Sequence, residues 1–170
     1  EGKSIKTLKL RSGILDADFN GNFSFRSIPK AANDLLRKHL PSYAGEFKTL
    51  GKEKPLEFDF SIDLKNTELV SYFFAPELSI SDSSNFQGRY SSISDEIYLR
   101  GRLNEISYKN VKVVDVQVEA ENPGKEFQLG VFANRVNFTD SIYLADLEVN
   151  TFTFNDSLGL VVKWNNKTKI

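Results

Sequence analysis

The 170 residues, 40% hydrophobic and 26% charged, suffice for one domain with a sizeable core or for a short length of an elongated repeat protein. No run approaches the ~20 apolar residues of a membrane-spanning helix, and with one His and no Cys there is no disulfide framework, thiolate metal site or thiol nucleophile. The net charge of −1 divides into eleven Lys/Arg against six Asp/Glu in residues 1–54 and eleven against seventeen in 55–170; the basic end faces anionic headgroups, a partner or only solvent, and without a basic stripe interleaved with aromatics nucleic acid is excluded.

The opening EGKSIKTLKL alternates like a strand and lacks the features of a leader, so the chain reads as a mature or internal piece of something longer. Lack of Cys also suits an oxidising compartment. Residues 5–11 form a short strand. In 14–25, Leu15, Ala17, Phe19, Phe23 and Phe25 occupy one face and Asp16, Asp18, Asn20, Asn22 and Ser24 the other, the period of a half-buried strand. Asn20-Gly21 marks a turn or bulge. Asp16, Asp18, Asn20 and Gly21 also repeat the opening of a calcium loop, but its twelfth position is Ser27 where a bidentate Glu is needed, and the flanks are strands; no metal is expected.

Residues 28–40 are the one amphipathic helix. Ser27 caps it, Pro29 fits its first turn and Pro41 ends it. Ile28, Ala31, Ala32, Leu35, Leu36 and Leu40 make its apolar stripe, and Arg37, Lys38 and His39 suit its carboxyl end, with His39 read as a surface group. The stripe packs over a sheet or closes its open end; a membrane-surface or partner-binding role is the alternative. Residues 42–55 are a polar loop. Phe58, Phe60, Ile62 and Leu64 alternate with Glu57, Asp59, Ser61, Asp63 and Lys65 in a strict strand, LVSYFF and LSI flank a break at Pro76, and 81–85 is a turn cluster.

From Phe86 the chain is continuous β in which FQGRYSSI, EIYLRGRL and ISYKNVKVVDVQVEA are separated by polar turns, Asn122-Pro123-Gly124 makes a further turn, and strands continue to Trp164. Within 110–164 one pattern is written twice, 31 residues apart. Val111, Val113, Asp115, Val116 and Val118 match Ile142, Leu144, Asp146, Leu147 and Val149; Phe127, Leu129 and Val131 match Leu158, Leu160 and Val162. Parity flips before each Asp, which predicts a bulge at Asp115 and Asp146 and a curled sheet. The domain is thus a single β-rich segment, 1–170, with strands plus helix in 1–85 and continuous antiparallel β in 86–170.

Catalytic motifs are missing: no nucleophile elbow, paired-His metal helix or phosphate loop. Asp59 with Asp63, or Asp16 with Asp18, would be the only glycosidase-like carboxylate pairs, and they stand where alternating strands carry charge for solubility. No catalytic residue and no cofactor is assigned.

The strings LDADFNGNFSF into SIPKAANDLLRKHLPS, PLEFDFSIDLKNTELVSYFFAPEL, NVKVVDVQVEA and SIYLADLEVNTFTFNDSLGLVVKWNN together resemble the TamB proteins of Bacteroidetes-type bacteria, within the AsmA-like group. The resemblance covers most of the chain and rests on the order of strand patterns around one helix. It implies a β-taco, an elongated curled antiparallel sheet with an apolar interior, in the periplasm of the cell envelope, with the longer protein anchored in the inner membrane. It implies phospholipid transport to the outer membrane and outer-membrane protein assembly without enzymatic activity, with phospholipid acyl chains and an outer-membrane assembly protein as partners. The groove or core residues are Phe19, Phe23, Phe25, Phe58, Phe60, Ile62, Phe127, Leu129, Ile142, Leu144, Leu158 and Leu160. The competing architecture is a compact β-sandwich, a secreted or periplasmic binding or adhesion module whose same faces form a dry core.

Overall fold

The structure is a computed structural model and describes residues 5–24, 28–39, 41–43, 55–65, 67–68, 71–72, 77–122, 126–154 and 156–165. The strands are β1 (Lys6–Arg11), β2 (Leu15–Asn22), β3 (Glu57–Leu64), β4 (Leu78–Ile80), β5 (Asn85–Ser91), β6 (Glu96–Tyr108), β7 (Val111–Glu121), β8 (Gln128–Asn137), β9 (Tyr143–Phe154) and β10 (Ser157–Asn165). The helix α1 spans Ile28–His39, and a 3₁₀ turn follows at Pro41–Tyr43. All ten strands join one antiparallel sheet in the order β1-β2-β3-β5-β6-β7-β8-β9-β10, with β4 pairing the far end of β6 beyond the reach of β5. The sheet does not close on itself and is mainly-β architecture with one short helix, as the alternation predicts. A single ladder takes the place of the two facing sheets of a sandwich.

Period-two alternation explains β2 and β3. Ala17, Phe19 and Gly21 face Ile62, Phe60 and Phe58, while Asp16 and Asp18 face Asp63 and Ser61 on the opposite side. Asn20-Gly21 makes no hairpin: β2 runs through it to Asn22. Gly21 sits there because its φ is 138° and a side chain would collide with the Glu57 backbone, both tolerable only for glycine.

Three readings of the later chain need correction. LVSYFF is no strand at its described positions: Glu68, Ser71 and Tyr72 are helical, and the Ser71 amide donates to the Thr67 carbonyl at 2.8 Å. Thr67 anchors this turn by donating from its hydroxyl to the Ile80 carbonyl, while its amide reaches the Asp82 carboxylate at 3.3 Å. The polar break expected after Leu103 is absent, since β6 continues unbroken for 13 residues to Tyr108. The chain reverses instead at Lys109-Asn110, inside a run read as one strand, where Lys109 takes the left-handed conformation (φ 54°) of a tight hairpin.

The parity flip is real but differs in kind from the expected bulge. Asp115 and Asp146 are left-handed, with φ of 52° and 49°. Yet the register is the same on both sides: Leu103 pairs Val116 and Glu105 pairs Val114, Val116 pairs Ala133 and Val114 pairs Arg135, Ala133 pairs Leu147 and Arg135 pairs Ala145. Only Asn104, Asp115, Asn134 and Asp146 stand between these pairs without ladder partners, so all four strands carry the extra residue at one level and no register is lost. The Asn134 amide donates to the Asp115 carboxylate at 3.2 Å along this row. A shift appears only at the last strand, where Lys163 pairs Glu148 and Asn165 pairs Ala145, so Asp146 and Leu147 together oppose Trp164.

Because every strand flips together, the apolar face passes through the row intact. Leu103, Val116 and Ala133 on one side and Val136 on the other are buried in one cluster, joined by Ile106, Val113, Leu144 and Leu147. A second cluster gathers Phe23, Leu56 and Phe58 with Leu8, Phe19, Phe60 and Tyr90. The helix meets the sheet at one end of the strands: Lys38 pairs with Asp95 in the β5–β6 turn, His39 packs on Phe127, and the Ser42 hydroxyl donates to Asp156 in the β9–β10 turn. Ser27, Leu40, residues 44–54, Pro76 and Pro123-Gly124 lie outside the described residues.

Candidate functional site

Cross-strand partners point to the same face of a sheet, so the ladder itself defines the candidate groove. One row crosses nine strands as Leu8, Phe19, Phe60, Gly88, Leu99, Ala120, Leu129, Thr151 and Leu160. The next row on that face crosses them as Leu10, Ala17, Ile62, Phe86, Gly101, Val118, Val131, Val149 and Val162. Neither holds a charged residue. The row between them points the other way and reads Lys9, Asp18, Ser61, Gln87, Arg100, Glu119, Gly130, Asn150 and Val161. One face is therefore an apolar band across the whole sheet, and the other a polar surface.

The twelve expected groove residues divide unevenly along this band. Phe23 and Phe58 are buried, and Phe19 and Phe60 pack against them, with Phe19–Phe60 rings stacked at 6.1 Å and Phe19–Phe23 tilted at 5.7 Å. Ile62 and Leu129 are half-buried in the rows above, and Leu144 belongs to the aliphatic cluster. Phe127 lies at the strand ends beneath His39. Leu158 and Leu160 share the apolar face but remain 57% and 60% exposed, because among the described residues β10 has a neighbouring strand on one side only. Ile142 is misplaced: it is 61% exposed in the β8–β9 turn, where its carbonyl accepts from the Phe138 and Thr139 amides. It matches Val111 in the repeat yet precedes β9, whereas Val111 begins β7. Phe25 lies outside the described residues.

The most buried aliphatic positions, Ala17, Leu103, Val116, Ala120, Ala133 and Val136, were not among the twelve. For Leu103, Val116, Ala133 and Val136 the signal is a shared spacing: Leu103-x-x-Ile106, Val113-x-x-Val116, Ala133-x-x-Val136 and Leu144-x-x-Leu147 each enclose one Asp or Asn of the row.

On the polar face Asp16 and Asp18 are held in ion pairs. Arg11 forks onto Asp18 at 2.8 and 2.9 Å, and the Lys65 ammonium lies 2.7 Å from Asp16. That hydrogen bond from Lys65 holds the Asp16 carboxyl below the usual carboxylate range; partial burial pulls the other way, and the charges of Lys65 and Arg11 add to the lowering. A general acid needs the opposite shift. Asp59 and Asp63 are four residues apart on one strand, roughly 13 Å at strand rise, beyond the spacing of a glycosidase pair. Asp16, Asp18 and Asn20 share this face with Arg11 and Lys65, and among the described residues no group of three or more metal-ligating side chains forms.

His39 corrects the expectation of a surface group. It is 5% exposed, its ring centroid lies 5.8 Å from that of Phe127, and its Nε2 has no hydrogen-bond partner among the described residues. Burial pushes its pKa down, Lys38 lowers it further, and Asp95 opposes both. The placement of α1 on the strand ends buries it, and a helix pattern alone does not reveal that orientation. Among the described residues no helix is long and apolar enough to cross a membrane. No protein-family model, curated protein or solved structure matches this chain.

Proposed function

We propose that the chain is a non-enzymatic segment of a cell-envelope protein resembling TamB, and that its apolar band forms a groove for phospholipid acyl chains in transport to the outer membrane or in outer-membrane protein assembly. The reading places it in the periplasm, within a longer protein anchored in the inner membrane. The observation that carries it is the pair of charge-free rows running across nine strands of an unclosed sheet. An acyl chain laid along such a band is stabilised by ~0.8 kcal/mol per buried CH₂ without any residue specifying the headgroup. Diffuse recognition of this kind needs no cofactor and no catalytic group. The single ladder favours a groove over the dry core between two sheets of a sandwich module.

Organic extraction of the purified chain followed by mass spectrometry tests this. Phospholipid in near-stoichiometric amount, reduced when Leu99 on the apolar row is replaced by Asp in a variant that keeps its β circular dichroism, is the expected result. Lipid-free protein, or lipid content indifferent to Leu99→Asp, overturns it.

A further inference from the structure

The polar face is not flat. Beside the row that runs through Arg100, Glu119, Gly130 and Asn150 lies a second, in which Tyr98, Glu121, Gln128 and Phe152 follow one another across β6 to β9. Between its two rings the sheet forms a trench of about 550 Å³. Tyr98 and Phe152 are 38% and 43% exposed and stand roughly 14 Å apart at the spacing of neighbouring strands. Each ring is seated on the sheet: Phe152 lies across Gly159 of β10, where a side chain would strike it, and the Arg100 guanidinium holds Tyr98 at 5.7 Å from the ring centroid. On the floor between them the Asn150 amide nitrogen donates to Glu148 at 2.6 Å, which leaves its carbonyl oxygen over the bare backbone of Gly130. Gln128 and the ion pair of Arg100 with Glu119 complete that floor.

We propose that this trench binds a neutral oligosaccharide. The faces of a pyranose ring are C–H surfaces that stack on an aromatic ring, whose own face is the negative part of its quadrupole, while the hydroxyls around the sugar's edge both donate and accept. Such a ligand needs ring platforms at separated points and mixed polar side chains between them. Tyr98 and Phe152 supply the platforms, with Gln128 and Asn150 between, and the distance separating the rings is one that a short run of linked pyranose units covers. Charge decides against acidic sugars: among the described residues Glu119, Glu121 and Glu126 line the trench against one cation, Arg100. Tyr98 also walls a neighbouring hollow of about 480 Å³ bordered by Asn20, Asp59, Ser61 and Gln87, so a longer chain continues past it over further amide and hydroxyl groups. The trench opens on the face opposite the apolar band, and the proposal stands or falls apart from the lipid reading.

Isothermal titration of the full chain with maltotetraose, cellotetraose and mannotetraose tests it, with tetragalacturonate and tetralysine as charged counterparts. At least one neutral sugar binds saturably, and tetragalacturonate binds more weakly. In variants that keep the β circular dichroism of the wild type, Tyr98→Ala and Phe152→Ala each weaken that binding by about threefold to tenfold. Gly130→Gln, which fills the floor without removing a ring, weakens it as well. Tyr108→Ala, which removes an exposed ring at the far end of β6, leaves it unchanged. Absence of binding by all three neutral sugars, binding indifferent to both ring variants and to Gly130→Gln, tighter binding of tetragalacturonate, or occupation by tetralysine alone overturns the proposal.

Discussion

From β2 to β5 the apolar face is filled by rings, whereas from β6 to β9 it is filled by short aliphatic side chains, and the two fillings solve different problems. Rings need room, which glycines provide: a side chain at Gly88 would come within 2.7 Å of the Phe60 ring, and one at Gly101 within 2.6 Å of Phe86. Glycine opposite an aromatic is a known way to pin register in a sheet. The aliphatic half must instead carry its face across the level at which all four strands take an extra residue. Ala133, 1% exposed, and Val116, 4% exposed, are buried on one side of that level and Val136 on the other, in one cluster. The aromatic half fixes the face by bulk, and the aliphatic half by synchrony between strands.

Breaking the aromatic filling has the largest expected effect. Phe58→Ala removes a buried ring that contacts Phe19, Phe23, Phe60 and Tyr90, and urea denaturation is expected to show a loss of about 3–5 kcal/mol. Overfilling the aliphatic half comes next. Ala133→Leu forces a larger side chain into a position that is 1% exposed, at a cost of about 1–3 kcal/mol and with little change in sheet content by circular dichroism.

The row of Asp and Asn offers a sharper contrast. Asp115→Val places a β-branched residue at φ 52° and is expected to lose about 1–2 kcal/mol in the same assay, while Asp115→Gly stays within a few tenths of wild type. Equal losses in the two variants would show that the left-handed conformation is not what the Asp provides.

The smallest effect is a pH dependence at the strand ends. The folded pKa of His39 lies below its ordinary 6.5, so the unfolded chain binds the proton more readily. Its contribution to stability is therefore complete above about pH 6.5 and is lost as pH falls from there toward the lower folded value. Lys38 and Asp95 are the charged groups facing it. Thermal melts between pH 7.5 and 5 should show that decline in wild type and a flatter profile in His39→Phe. Asp16, whose pKa is lowered from 3.8, loses its ion pairs at more acidic pH and does not blur this window.

The sequence was most legible where one face is wet. Strands β2 and β3 alternate strictly because their outer residues are Asp, Asn, Glu and Ser, so both elements and the facing of Phe19, Phe58, Phe60 and Ile62 follow from period two. Strand limits in the second half were harder, since Asn104-Glu105 looks like a polar break although four strands pass that level together. The apolar run at 69–74 has no period that separates strand from helix, and the Thr67 contacts that favour a helical turn come from Ile80 and Asp82, distant in sequence. Exposure at Leu158 and Leu160 depends on β10 having only β9 beside it among the described strands, a property of the assembled sheet and not of any local pattern.

The central claim, that the charge-free rows hold acyl chains, is tested most directly by photolabelling the chain with a phospholipid bearing a diazirine in its acyl tail and mapping the adducts by peptide mass spectrometry. The account predicts adducts at residues of the apolar rows such as Phe60, Leu99, Leu129 and Leu160, competed by unlabelled phospholipid. Adducts spread equally over Ser61, Gln87 and Glu119 of the polar row, or none that unlabelled lipid displaces, would contradict it.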